Sequence, residues 1–301
     1  MIHGIINVYK EKGFTSHDVV AKLRGIAGQK KIGHTGTLDP DATGVLPVCL
    51  GKATKLCDLL TDKDKTYETV LLLGKTTDTQ DITGEILEEK STETLDEDMV
   101  RKVIEGFVGD YEQIPPMYSA LKVNGKKLYE LAREGKIIER KARPVKILDI
   151  RILEMALPRV RMEVSCSKGT YIRTLCHDIG EKLGCGGCME SLIRTRVSSF
   201  QIENAKTLDE IEGLKKEGKL EEILIPIDEM FPSYPKITVK DSWKAFAKNG
   251  NPLELKMLKD DSGQDTECQV RLYDETGKFI AIYKWMAEEK KYHIVKMFFN
   301  E

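Results

Sequence analysis

Gly33-His34-Thr35-Gly36-Thr37-Leu38-Asp39-Pro40-Asp41-Ala42-Thr43-Gly44-Val45-Leu46-Pro47 lies between an amphipathic helical pattern and an apolar strand pattern. The stretch is polar and rich in turn residues. Its glycines permit backbone shapes closed to other side chains. Pro40 pushes Asp39 out of the α region into an extended conformation. A stiff loop follows, presenting one carboxylate, Asp39, beside one imidazole, His34. Asp-Pro and Thr-Gly are also ordinary turn formers, so on spacing alone a plain surface turn fits the same residues.

Outward from this loop, Gly4 to Tyr9 reads as a strand. Thr15 or Ser16 caps a helix in which Val19, Val20, Leu23, Ile26 and Ala27 recur at helical spacing, and Gly28 ends it. After the loop come a strand from Val45 to Leu50, a short helix from Thr54 to Leu60, and a strand from Tyr67 to Leu73. The run Val70-Leu71-Leu72-Leu73 predicts a sheet covered on both faces. Thr76 to Gly84 reads as a polar turn. An amphipathic helix is expected from Asp96 to Val108, closed by Gly109. Asn124-Gly125 marks a hairpin turn, and Leu128 to Glu134 a short helix before Gly135. Val145 to Glu154 and Val160 to Ser165 are strands, Thr170 to Leu183 a helix closed by Gly184, Arg194 to Ile202 a strand, and Leu208 to Lys216 a helix. Ile225 to Pro235, with its prolines, reads as a linker. Beyond Ile237, short β-like runs (Cys268 to Tyr273, Phe279 to Trp285, Tyr292 to Met297) separated by Asp-Ser-Gly and Glu-Thr-Gly turns indicate a small β domain.

With 301 residues, 41% hydrophobic and 32% charged, the chain has the composition of a globular protein of one large domain or two unequal ones. No apolar run reaches the ~18 residues that cross a bilayer, and Met1 to Gly13 lacks a signal-peptide core, so the expected location is cytoplasmic. The seven cysteines are odd in number and scattered, which predicts reduced thiols. Net charge is only −2, but its distribution is uneven. Lys122 to Lys146 holds nine Lys or Arg against three Glu, and Asp78 to Asp98 holds nine acidic residues against one Lys. A basic face can therefore coexist with an acidic back.

The loop closely resembles the motif of the TruB family of tRNA pseudouridine synthases, G-H-T-G-[ST]-L-D-P-x-A-T-G-[VL]-L, at every defined position. Ser165-Cys166-Ser167-Lys168-Gly169-Thr170-Tyr171-Ile172-Arg173-Thr174-Leu175 resembles the family's C-S-x-G-T-Y-I-R-[TS]-L. Lys65-Thr66-Tyr67 resembles its K-x-Y strand, and Ser191-Leu192-Ile193-Arg194-Thr195-Arg196 its L-R-R-T-R stretch, with Ile193 where an Arg is common. Asn7 to Ser16 resembles K-P-x-G-[MW]-[TS]-S, with Glu11 where a proline is usual. Pro116 to Gly125, with the basic run through Arg143-Pro144-Val145, resembles the thumb insertion of the stand-alone bacterial enzymes. The guide-RNA-dependent relatives lack that insertion. The region after Ile237 looks like a PUA-type RNA-binding domain.

The resemblance implies an α/β (α+β) catalytic domain over residues 1–230, with a mixed, mostly antiparallel sheet and a central cleft. The thumb would cover about 122–146, and a β-rich PUA-like domain 236–301. The implied reaction is isomerisation of uridine 55 in the T-loop of tRNA, with the base flipped out of the RNA. Asp39 would be the nucleophile, kept ionised by an ion pair with Arg173, since an opposite charge within a few ångström lowers a carboxyl pKa by roughly 1–3 units. Tyr67 would stack on the base and take part in proton transfer. Tyr171 and Leu192 would line the uracil pocket, and His34 would help displace the base. Lys126, Lys127 and Arg133 would clamp the T-arm through its phosphates. No cofactor, metal or guide RNA is implied, and a monomer is expected. Cys185-Gly186-Gly187-Cys188 is a CxxC to which Cys176 and His177 could add zinc ligands, although the family implies none. Two other readings share these residues: a non-catalytic RNA-binding or tRNA-folding factor, and a pseudouridine synthase acting on another RNA. A metal-dependent nuclease would need clustered carboxylates, which Asp39 and Asp41 alone do not supply.

Overall fold

The computed structural model describes residues 1–259 and 269–299. In chain order its elements are β1 (Gly4–Lys10), α1 (Ser16–Ala27), β2 (Ile32–His34), β3 (Thr43–Leu50), a 3-10 turn (Gly51–Leu56) running into α2 (Cys57–Thr61), β4 (Lys65–Leu73), β5 (Lys75–Thr77), β6 (Ile86–Glu89), α3 (Glu97–Glu105), β7 (Gly109–Gln113), β8 (Lys122–Val123), β9 (Lys126–Lys127), α4 (Leu128–Arg133), β10 (Arg143–Ala156), β11 (Arg159–Cys166), α5 (Ile172–Leu183), β12 (Gly187–Val197), β13 (Phe200–Gln201), α6 (Leu208–Lys216), β14 (Lys236–Thr238), α7 (Lys244–Lys248), β15 (Gln269–Tyr273), β16 (Phe279–Met286) and β17 (Lys291–Met297).

One nine-stranded sheet has the order β1-β3-β12-β4-β11-β10-β7, with β2 and β13 attached to β3 and β12. Its ladders are antiparallel except where β3 meets β12. There the strands run parallel for only two pairs, Ile193↔Thr43 and Arg194↔Gly44. The sheet is therefore two antiparallel halves joined by a short seam, and the Asp39 loop leaves β2 and enters β3 at that seam. The halves carry separate cores. Val19, Leu23, Val48 and Ile211 belong to one, and Leu71, Val100, Val164 and Leu175 to the other.

Local chemistry sets the helix ends. Thr15 Oγ1 accepts the Asp18 N–H at 3.1 Å while the Asp18 carboxylate accepts the Thr15 N–H at 2.8 Å, a capping box that starts α1. Asp96 caps α3 through the Met99 N–H at 2.8 Å. That helix ends at Gly106, earlier than its apolar spacing predicts. Gly109, expected to close it, opens β7 with φ of 115°. The chain reverses there to reach the sheet edge, and Phe107 packs edge-to-face on Tyr111.

The largest departure from the sequence reading is β12, expected over Arg194 to Ile202 and found over Gly187–Val197, with Ile202–Asn204 a 3-10 turn. Gly187 at the start of β12 serves packing. A Cβ on Gly180 of α5 would meet Gly187 N at 2.2 Å, so helix and strand touch backbone to backbone. Thr76 to Gly84 also holds more structure than a turn, because β5 pairs with β6 across it.

The C-terminal sheet is β14-β15-β16-β17 around Ile237, Val270, Leu272 and Tyr283. Cys268 and the Asp-Ser-Gly turn lie outside the described residues. The expected linker is packed rather than free. Ile225 exchanges backbone hydrogen bonds with Ile5 at 2.8 and 2.9 Å, and Ile227 and Phe231 join a core shared by Val45, Val197, Ile282 and Phe298.

At the seam, Gly44 has φ of 105°, and a Cβ there would lie 2.2 Å from the Arg194 carbonyl oxygen. Gly44→Ala is expected to cost about 3 kcal/mol or more, because backbone rather than a flexible side chain blocks the methyl. A melting temperature equal to that of the wild type would refute this account of the seam.

Candidate active site

The loop of residues 35–42 is held from below by two buried cations. Lys10 is fully buried on β1, and its Nζ donates to the carbonyls of Pro40 at 3.0 Å, Ala42 at 2.5 Å and Glu11 at 3.1 Å. Arg194 is buried on β12. Its Nε donates to Val45 O at 2.7 Å, and its terminal nitrogens reach Gly36 O at 3.4 Å and Thr37 O at 3.5 Å. Extended and turn backbone leaves carbonyls unpaired, and a buried carbonyl needs a donor. Two cations satisfy this loop, and neither forms an ion pair with a carboxylate among the described residues. Burial lowers the Lys10 amine to about 8, against the pull of Asp39 and Asp41. Ser16 completes the cradle, its Oγ accepting the Leu38 N–H at 2.9 Å.

Asp39 then meets Arg173 from the first turn of α5. Arg173 Nε lies 3.0 Å from one carboxylate oxygen, and Nη2 donates to the other at 3.3 Å. The same guanidinium donates to Thr79 O at 3.1 Å and Tyr118 O at 2.9 Å, and lies 3.9 Å from Asp81. The Arg173 side chain is 6% exposed and that of Asp39 41%. The carboxylate thus keeps one open side while protein encloses the rest. This enclosure pushes its pKa above the ordinary range; Arg173 and Lys10 pull it down, and Asp81 pushes it up. The ion pair forms as expected, but its effect is smaller than that of desolvation.

Tyr67 of β4 is buried opposite Arg194 in the ladder. Desolvation pushes its phenol up to about 12 although Arg194 draws it down, so the hydroxyl is protonated at neutral pH. Leu192 lies in the same apolar cluster as Tyr67, with Leu38 and Ala42 from the loop and Ile172 and Leu175 from α5. Tyr171 is the residue that heads α5. Asp39, Arg173, Tyr67, Leu192 and Tyr171 therefore come together from four parts of the chain: the loop, the head of α5, β4 and β12.

His34 lies on β2, at the start of the loop. Its ring packs edge-on against His17 of α1 at 5.5 Å, and its Nδ1 accepts the Gly36 N–H at 3.3 Å. Burial, then the neighbouring His17, lower its pKa. The two rings meet where α1 packs on β2.

The basic segment lies apart, on the β8–β9 hairpin and α4. Lys126 pairs with Glu134 at 3.4 Å, and Glu134 also takes Lys136 at 2.7 Å. Lys127 and Arg133 both stack over the Tyr129 ring, at 5.3 and 5.5 Å. Part of the charge is thus spent on local partners, all at the surface, where such pairs contribute little and exchange easily. Cys185 and Cys188 are buried free thiols, and no group of three His, Cys, Asp or Glu among the described residues is placed to hold a metal ion.

Comparison with known proteins decides the family. Residues 24–172 match the TruB family pseudouridylate synthase (N terminal domain), and residues 173–232 the tRNA pseudouridylate synthase B C-terminal domain. The chain belongs to the TruB family. It is 57% identical to tRNA pseudouridine synthase B of Lachnoclostridium phytofermentans, over 99% of this chain and 100% of that one. Identity to the Bacillus pumilus protein of the same name is 43%, over 98% and 96%. Among solved structures, a Cbf5-Nop10-Gar1 complex matches with a TM-score of 0.72 at 29% identity, covering 99% of this chain and 85% of that chain. An H/ACA RNP bound to a substrate RNA containing 2'-deoxyuridine matches at 0.71 and 27%, covering 99% and 86%.

In this TruB chain the boundary between the two family regions falls between Ile172 and Arg173, inside the first turn of α5, while the nine-stranded sheet runs through both. Sequence reasoning missed the loop of residues 78–84. Its Thr79 carbonyl and Asp81 carboxylate face Arg173, and Gln80 accepts from Thr174 Oγ1 at 2.7 Å. Composition marked it only as acidic and turn-rich. The roles of Lys10 and Arg194 were missed as well, because a lysine or arginine in sequence carries no sign of burial.

Proposed function

We infer that this chain isomerises uridine 55 in the T-loop of tRNA to pseudouridine, with Asp39 as nucleophile on a flipped-out base. The observation that carries the reading is the two-point contact of Arg173 with Asp39 at the seam, beside the apolar cluster holding Tyr67 and Leu192, in a TruB-family chain. In the reaction the N1–C1′ bond breaks, the base turns, and C5 bonds C1′. N1 gains a proton and C5 gives one up, so no oxidant or cofactor is consumed. Asp39, open on one side, can attack C1′ or C6, or stabilise a glycal-forming step. Arg173 orients it and offsets its desolvation. Tyr67, neutral and buried, offers a stacking face and a hydroxyl for proton transfer. Tyr171 and Leu192 line the pocket. His34 pushes into the RNA loop as the base leaves.

Residues 1–230 form the catalytic unit and residues 236–301 a PUA-like RNA-binding unit in this reading, supported by their separate sheets. The substrate is held by its T-arm without a guide RNA, and the enzyme works as a monomer in the cytoplasm. No helix among the described residues is long and apolar enough to cross a membrane.

Release of tritium from tRNA transcript labelled with [5-³H]uridine tests the activity. Release is expected from the natural sequence and not from a transcript with cytidine at position 55. Binding without release would instead identify an RNA-folding factor, and equal release from both would move the target to another uridine.

The clamp has its own test. Neutralising Lys126, Lys127 and Arg133 together is expected to weaken tRNA binding and to flatten the dependence of log affinity on log salt by about 2. An unchanged slope would remove these residues from the interface.

A further inference from the structure

We propose that Gln113 is a positioning residue for the isomerisation: it holds the Tyr171 peptide at the head of α5 and thereby fixes the Arg173 guanidinium on Asp39. The proposal rests on the pseudouridine synthase reading above. α5 starts without a cap of its own, since the Tyr171 side chain makes no capping hydrogen bond. The missing partner comes from another strand. Gln113, at the end of β7, is buried to 1% exposure. Its Oε1 accepts the Tyr171 N–H at 2.8 Å, and its Nε2 donates to the Tyr171 carbonyl at 3.0 Å. That carbonyl also accepts the Leu175 N–H at 3.1 Å, so it belongs to the first turn of the helix.

An apolar side chain would fill this volume but leave both peptide groups without their amide partner. Two bonds to one peptide fix its rotation as well as its place. Two residues further on is Arg173. Five residues beyond Gln113 is Tyr118, whose carbonyl accepts Arg173 Nη2 at 2.9 Å. A closed ring results: Gln113 to Tyr171, along the chain to Arg173, across to Tyr118, and back along the chain to Gln113. It ties the root of the basic insertion to the ion pair at the seam. Gln113 itself makes no bond to Asp39, so its influence passes through the helix start.

Gln113→Glu and Gln113→Met test this in the full-length protein. The glutamate keeps shape and acceptor but, when ionised, loses the donor to the Tyr171 carbonyl. The methionine loses both bonds. The charged and titratable groups facing Gln113 are the Tyr111 hydroxyl, which its side chain also meets and which is bonded to Asp178 of α5, and Arg143 paired across the ladder. Both variants are expected to lose about 10- to 100-fold in single-turnover rate, since an ångström of misplacement carries a cost of that order. Affinity for tRNA should stay within about twofold, the ring lying behind the reacting groups. The rate of the glutamate variant relative to wild type should recover as pH falls and its carboxyl regains a proton to donate, whereas that of the methionine variant should stay flat. Folded variants with full rate, or a rate loss matched by lost affinity, would overturn the proposal. An inactive wild type would refute the activity and leave a crystal structure of Gln113→Met to decide the positioning. Arg173 still seated on Asp39 there would refute it, and a displaced guanidinium would support it.

Discussion

Asp39→Asn is expected to abolish pseudouridine formation while leaving tRNA binding within about twofold of wild type, the rate falling on the order of 10⁴-fold or more as for loss of a nucleophile. Asparagine matches the carboxylate in shape and can still accept from Arg173, so the loop cradled by Lys10 and Arg194 stays in place. What disappears is the negative charge at the open side of the cleft. Tritium release and filter binding on the same protein separate the two effects. Turnover retained in the variant would end the assignment of Asp39, and loss of binding would move its role to RNA docking.

The pH profile follows from the same carboxyl. Its surroundings raise its pKa above the ordinary 3.8. Activity that needs the ionised form is therefore lost as pH falls through a midpoint above that value, earlier than for a free aspartate. The linkage has a definite sign. Because the folded state holds this proton more tightly than the unfolded chain, the ionised group costs stability at neutral pH, and that cost vanishes as pH falls through the folded pKa. An acid limb at or below 3.8 would contradict the dominance of burial over Arg173.

Arg173→Met carries the second large effect. It strips the carboxylate of its main counter-charge while Asp81 remains close, so the acid limb should move to still higher pH. The rate should fall by about 10²- to 10³-fold, the usual scale for removing a preorganised electrostatic partner. Arg173→Lys distinguishes charge from geometry. A lysine restores a positive charge but not a planar fork that reaches Asp39, Thr79 and Tyr118 together. The acid limb should return towards wild type while the rate stays low. A lysine variant with full rate would reduce Arg173 to a point charge.

Much of this was legible in the chain. The α1 stripe, its Thr15 cap and Gly28 end, the Asn124-Gly125 hairpin and α6 all follow from local spacing and turn chemistry, which act within a few residues. The motif residues Asp39 and Arg173 were legible by resemblance, and they meet across 134 positions. Local rules failed where tertiary contact reuses a residue. The strand expected from Arg194 starts instead at Gly187, where α5 presses backbone to backbone on β12. Gly109 reads as a helix end, yet it starts the edge strand.

Which segments bury an apolar face, where the chain must turn, and which carboxylate and arginine belong to the motif could all be read from the residues. Those properties reside in single residues and their near neighbours. The burial of Lys10 and Arg194 beneath the loop, the hold of Gln113 on the Tyr171 peptide and the dominance of enclosure over the ion pair at Asp39 arise from packing alone. Burial and field strength belong to the whole packed environment, and a lysine, glutamine or aspartate reads the same in sequence whether water or protein surrounds it.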